Sequence, residues 1–154
     1  MSENKTPGIR PLKPEDLDRV TEIDTRILGR SRRKFFEKRL EAALSDTHGF
    51  VAVAVENPAG ELSGYAIARI QNGEFGDDQK TAVLDVIGVD PDGQHGGAGH
   101  ALLDGITETL AKLKIGELRT QVDWQDQELT GFFATAGFRL APEQVFERSV
   151  SRDL

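Results

Sequence analysis

Residues 89–103 read V-D-P-D-G-Q-H-G-G-A-G-H-A-L-L, and this segment constrains the chain more than any other. A valine-rich stretch leads into it, and leucines at helical spacing come after it. A strand therefore passes through a glycine-rich turn into a helix. Four of the 16 glycines fall at 93, 96, 97 and 99. Glycine takes positive φ and lets a backbone come close to a ligand. The first N–H groups of a helix have no partner inside it, and the helix dipole favours negative charge there. The segment is therefore expected to hold an anion.

The rest of the chain supplies the frame. Residues 9–12 read as a short strand, placed at an edge by Pro11. Pro14 and Glu15 suit a helix start. Leu17, Val20, Ile23, Ile27 and Leu28 form that helix's apolar stripe, and Gly29 is its stop. Ser31 is the expected cap of a second helix that buries Phe35, Phe36, Leu40, Ala43 and Leu44. Residues 49–56 and 62–70 read as a hairpin around a turn at 57–60. A loop at 72–80 and a long strand at 81–89 come next. The helix after the glycine turn, 97–114, carries Leu102, Leu103, Ile106, Leu110 and Leu113 on one face. A strand at 118–122, a helix at 128–136 broken by Gly137, and short strands near 138–140 and 145–150 complete the expected order. That order predicts an α/β (α+β) fold with a mixed sheet and one parallel crossover through helix 97–114.

Composition narrows the function. The 154 residues fit one domain, 1–154, with 1–7 as a disordered tail. Acids outnumber bases 26 to 19, a net charge of −7, which weighs against nucleic acid and suits a neutral or cationic partner. There are no cysteines, so thiolate catalysis, disulfides and Cys-based metal sites are excluded. His48, His95 and His100 are too scattered for a metal cluster, and no metal is expected. The polar start shows no signal segment, and the longest apolar run, 50–55, is too short for a bilayer. The expected location is the cytoplasm, with no membrane partner.

Known phosphate loops differ in the residues beside their glycines. A Walker loop needs Gly-Lys-Ser/Thr, but His100 and Ala101 come after Gly99. A dinucleotide fingerprint needs a third Gly or Ala where Leu102 stands. The pattern Gln/Arg-x-x-Gly-x-Gly/Ala fits Gln94, Gly97 and Gly99, with Val89 and Pro91 before it and Leu102 and Leu103 after it. In these residues the chain resembles the GNAT acetyltransferase superfamily. The element order and the Gly137-Phe138 pair extend the resemblance over nearly the whole chain.

The resemblance implies a mostly antiparallel central sheet flanked by helices, and an acetyl-CoA co-substrate. It places the CoA pyrophosphate on the backbone of Gln94, His95, Gly96, Gly97, Ala98, Gly99 and His100. It lays the pantetheine arm along the strand holding Ile87 and Val89, as an added strand. It also implies cofactor contacts from Asp126 and Phe133. The family often has Tyr where Phe133 stands and Asn where Asp126 stands. Phe133 cannot donate a proton, so the usual acid for the leaving thiolate is missing.

Acetyl transfer to an amine requires a base. Strict alternation along 81–89 puts Val83, Asp85, Ile87 and Val89 on one face. An acid in an apolar row is a candidate base, because burial raises its proton affinity. The resemblance places an acid at the same slot. The bland reading pairs Asp85 with an arginine such as Arg69. Glu74, Asp77 and Asp78 are alternatives on the preceding loop. Tyr65 reads as structural.

Residues 30–39 hold six of the 19 basic residues. This stretch, with Arg33 as its candidate, is open to three uses: an acidic group on the acceptor, a CoA phosphate, or a partner chain in a homodimer. Its bland reading is a solvated helix face around Phe35 and Phe36. Trp124 is a candidate lining residue of the acceptor pocket. The function expected is acetyl transfer from acetyl-CoA directly to an amine, on a small molecule or a protein. An acyl-CoA sensor without turnover is the alternative, and a nucleotide-binding domain a weaker one.

Overall fold

A computed structural model describes residues 8–71 and 80–151. The expected tail at 1–7 and the loop acids Glu74, Asp77 and Asp78 lie outside the described residues. The chain divides into two compact units, Met1–Gln121 and Val122–Leu154.

The first unit is built on a five-stranded sheet in the order β1-β2-β3-β4-β5. Its strands are β1 (Gly8–Pro11), β2 (Phe50–Glu56), β3 (Leu62–Gln71), β4 (Thr81–Val89) and β5 (Glu117–Arg119). The first four pair antiparallel, and β4 pairs β5 in parallel. The parallel crossover runs through α3 (Ala98–Lys112), as the helical stripe predicts. Pro11 does sit on the edge strand. The β2–β3 turn is held by Asn57, whose Oδ1 accepts from the N–H of Ala59 and of Glu61.

Two helices precede β2. A 3-10 turn at Pro14–Asp16 leads into α1 (Leu17–Leu28), and Gly29 ends α1 at φ 79°. That left-handed cap is why glycine stands there. Helix α2 (Arg33–Ser45) starts one residue later than a Ser31 cap would give, although Ser31 Oγ still accepts from the Arg33 N–H at 3.3 Å. The strand-to-helix entry is clamped by Arg10, which donates to both oxygens of Asp16 at 2.8 and 2.9 Å.

The core is assembled from these elements. Val20 and Ile23 of α1 and Phe36, Leu40 and Ala43 of α2 pack on Ala54, Tyr65 and Ile67 of the sheet. The other face receives α3, whose Leu102 lies against Gly64. Tyr65 is structural, as expected. It is 1% exposed and meets the Phe36 ring edge-on at 5.6 Å. A Cβ on Gly88 would strike its phenol. Burial, together with the negative charge of Asp24, pushes the Tyr65 hydroxyl well above the usual tyrosine range.

The second unit contains α4 (Gln127–Thr135), capped by the Asp126 side chain and ended by Gly137 at φ 89°. The strands expected at 138–140 and 145–150 are not formed. Leu140, Val145, Phe146 and Val150 are 77–94% exposed. Apolar spacing alone does not make a strand; a neighbouring ladder is needed, and among the described residues none pairs with this segment.

Candidate active site

The glycine turn is tighter than an open loop. Pro91–Gly96 forms a 3-10 turn, and Gly97 caps α3 at φ 78°. That conformation strains any residue with a Cβ, while the space beside the Gly97 Cα is open. The first bond of α3 runs from the Ala101 N–H to the Gly97 carbonyl at 3.0 Å. The N–H groups of Ala98 and Gly99 lie in the first turn, at the positive end of a helix of 15 residues. A helix start of this kind is a cradle suited to an anion. The side chains of Gln94 and His95 lie outside the described set. His100 is exposed.

What holds the cradle is an aspartate that sequence reasoning passed over. Asp90 ends β4. Its Oδ2 accepts from Arg19 Nη2 at 2.6 Å, and its Oδ1 from Arg26 Nη1 at 2.8 Å and the Asp92 N–H at 3.0 Å. Its own N–H donates to the Ser63 carbonyl at 2.8 Å. Burial works to raise the Asp90 pKa. The Asp92 N–H and the two guanidiniums outweigh it and hold the carboxyl below its usual range. The sequence signal was there: Arg19 and Arg26 are two helical turns apart on one face, beside the apolar stripe.

Strand β4 carries two further features. Its pairing with β5 covers only 81–83, and Thr120 Oγ1 caps the contact by donating to the Leu84 carbonyl at 3.1 Å. Among the described residues no strand pairs with 85–89 on that side. An open strand edge therefore leads straight into the glycine turn.

The second feature corrects the expected alternation. Ile67 pairs with Val86, but the next residue, Ala68, pairs with Leu84. Asp85 is the extra residue of a β-bulge. A bulge shifts the two-residue period, so the faces exchange there. Asp85 and Val86 both turn to the α1–α2 side, where Val86 joins the core. Ile87 and Val89 pair with Ala66 and Gly64 and turn to the α3 side. Asp85 thus does not share a row with Ile87 and Val89.

Its neighbours are guanidiniums rather than the apolar row expected. Arg39 Nη1 of α2 reaches Asp85 Oδ2 at 3.2 Å, and Arg69 Nε of β3 reaches the same oxygen at 3.4 Å. Oδ1 has no partner among the described residues. The pairing with Arg69 was foreseen as the bland reading; Arg39 was hidden in the basic stretch. Its packing over the Phe35 ring, 5.1 Å from the centroid, aims it at the sheet.

The other arginines of that stretch are engaged elsewhere. Arg32 donates to both oxygens of buried Asp24 at 3.0 and 2.6 Å. Arg33 pairs with Asp18 at 2.8 Å and with Glu37 at 3.3 Å, all three being exposed. In the second unit, Trp124 is 85% exposed. The Asp126 carboxylate accepts from the Leu129 N–H at 3.0 Å as the α4 cap. Phe133 is buried, with the ring centroids of Phe132 and Phe138 at 5.4 and 5.0 Å. Among the described residues no group of acids or histidines is placed to hold a metal, and no helix is long and apolar enough to cross a membrane.

Comparison with known proteins agrees with this geometry. No curated protein matches the chain in sequence. Three similar solved structures share 13–15% identity with it. A transcriptional regulator from Bacillus halodurans C-125 has 15% identity and a TM-score of 0.79, over 94% of this chain and 100% of that one. An aminoglycoside 6'-N-acetyltransferase from Acinetobacter baumannii has 13% identity and a TM-score of 0.77, over 95% and 100%. A glucosamine-6-phosphate N-acetyltransferase from Arabidopsis thaliana has 15% identity and a TM-score of 0.71, over 94% and 99%. At these identities the likeness concerns the fold. The model of the acetyltransferase (GNAT) family matches residues 17–138, and the chain belongs to that family.

Proposed function

We propose that this protein transfers an acetyl group from acetyl-CoA directly to an amine. The observation that carries the reading is the continuity of the open β4 edge with the N-terminus of α3. The unpaired backbone around Ile87 and Val89 can receive the amides of a pantetheine arm as a strand would. The first turn of α3 at Ala98 and Gly99, shaped by Gly97, would hold the pyrophosphate. Bound there, acetyl-CoA supplies the acetyl thioester. The protein is acidic overall, so backbone dipoles rather than surplus lysine do the anion binding.

Asp85 is the proposed base. Its Oδ1 is open to take a proton from the attacking amine, directly or through a water molecule. Phe133 has no proton to give, and the chain has no cysteine to carry an acyl group. Direct transfer with solvent protonating the leaving thiolate is therefore the simplest route. Most of the acceleration then comes from positioning.

Calorimetry with CoA and thiol release over a broad amine panel test the reading. Gly97→Glu places a strained backbone and a negative charge at the cradle. It is expected to weaken CoA binding at least about a hundredfold. Unchanged affinity would remove the cradle as the cofactor site. The phenylalanine at 133 keeps a second reading alive, a CoA-binding sensor. Tight CoA binding with no thiol release on any amine would establish that reading instead.

A further inference from the structure

We infer that the acceptor carries an acidic group beside its amine, held by Arg39 and Arg69 next to Asp85; this rests on the acetyl transfer proposed for the β4 site. The buried aspartates of the first unit, Asp16, Asp24 and Asp90, have both oxygens bound by arginine. Arg10 and Arg32 each bind both oxygens of one aspartate at 2.6–3.0 Å. Arg19 and Arg26 take one oxygen each of Asp90. At Asp85 two guanidiniums crowd a single oxygen at 3.2 and 3.4 Å. The cluster has one positive charge in excess, within a protein of net charge −7. A guanidinium has five N–H donors. Arg39 and Arg69 each use one among the described residues, and their side chains are 31% and 41% exposed.

An incoming carboxylate or phosphate would balance that charge and take up the idle donors, since a planar fork matches either group. The Phe35 ring beside Arg39 limits the reorganisation needed. The arginines lie on the α1–α2 side of the sheet, whereas α3 and its cradle lie on the other, so they are not part of the pyrophosphate site. The open Oδ1 of Asp85 attracts an ammonium. Arg–Asp–Arg thus presents the alternating charges that a zwitterionic amine requires. The overall negative charge does not cancel this, because salt screens charges beyond about 8 Å.

The test compares small primary amines of similar size that are neutral, doubly cationic, or carry a carboxylate or a phosphate. Thiol release should show the lowest KM for an acidic amine, and the better of the two acids identifies the group. Arg39→Gln and Arg69→Gln should raise that KM about ten- to a hundredfold, leaving the KM for acetyl-CoA and for neutral amines in place. Arg39→Lys should recover part of it. Preference for neutral or cationic amines, or an unchanged KM in both glutamine variants, would overturn the inference while acetyl transfer stands. If no amine is acetylated, the proposed reaction fails. Equilibrium dialysis of unreactive hydroxy acids and sugar phosphates then tests the arginines alone. Binding lost in the glutamine variants supports the clamp; no binding, or binding unchanged in them, overturns it.

Discussion

Asp85 in β4 and Asp90 directly after the strand each face two arginines, and the two clusters are opposites. At Asp90 both oxygens are taken, at 2.6–3.0 Å, and a backbone N–H adds a third bond. At Asp85 one oxygen takes two long contacts and the other none. The first cluster joins α1 to the end of β4, directly before the cradle. The second spans α2, β3 and the bulge, and leaves donors and an acceptor idle. A closed charge network stabilises a particular backbone geometry; an open one keeps interactions available for a ligand. The same residue types, five positions apart, thus make one closed network and one open one.

The contrast is tested most strongly at Asp90. Asp90→Ala leaves two guanidiniums facing a vacated pocket and should lower stability by about 3 kcal/mol in chemical denaturation. The cradle should loosen with it, seen as weaker CoA binding. A loss no larger than that of Asp85→Ala would erase the distinction between the two clusters. Asp85→Asn should instead change stability by less than about 0.5 kcal/mol while lowering kcat about a hundredfold or more at neutral pH. CoA affinity should hold. Turnover equal to the parent would remove Asp85 as base.

Acid separates the clusters further. Asp90 has its carboxyl lowered from the ordinary value of 3.8. Its contribution is therefore complete above that value and is lost as pH falls through the lower folded-state value. Asp16, where burial opposes but Arg10 and the Lys13 N–H prevail, behaves the same way. Melting temperature should drop as pH goes below about 4, and Asp90→Asn should flatten part of that drop. An acid profile identical to the parent would show that Asp90 carries none of it. The smallest effect compares single arginines. Arg19→Gln should destabilise by about 1–2 kcal/mol, since it also loses the bond to the Leu62 carbonyl, and Arg39→Gln by less than about 0.5. Equal losses in thermal melts would make both clusters structural.

Much of this was legible because it depends on near neighbours in sequence. The stripe from Leu102 to Leu110 makes an amphipathic helix wherever it docks, and Gly29 and Gly97 mark left-handed caps by lacking a Cβ. The glycine turn between a valine-rich strand and that helix marked the helix start and, through its resemblance, the family. Other features depend on partners far along the chain. The bulge at Asp85 exists only in the register of β4 against β3, so alternation along β4 alone misplaced Ile87 and Val89 relative to it. The same holds for Asp90, whose guanidiniums come from α1, and for Arg39, whose target lies 46 residues away. The segments 138–140 and 145–150 show the converse, a strand-like pattern with no ladder to join. Local periodicity and backbone chemistry determined most of the elements and the glycine turn; only tertiary pairing decided which strands form ladders and which charges meet, because opposite charges attract across space and not along the sequence.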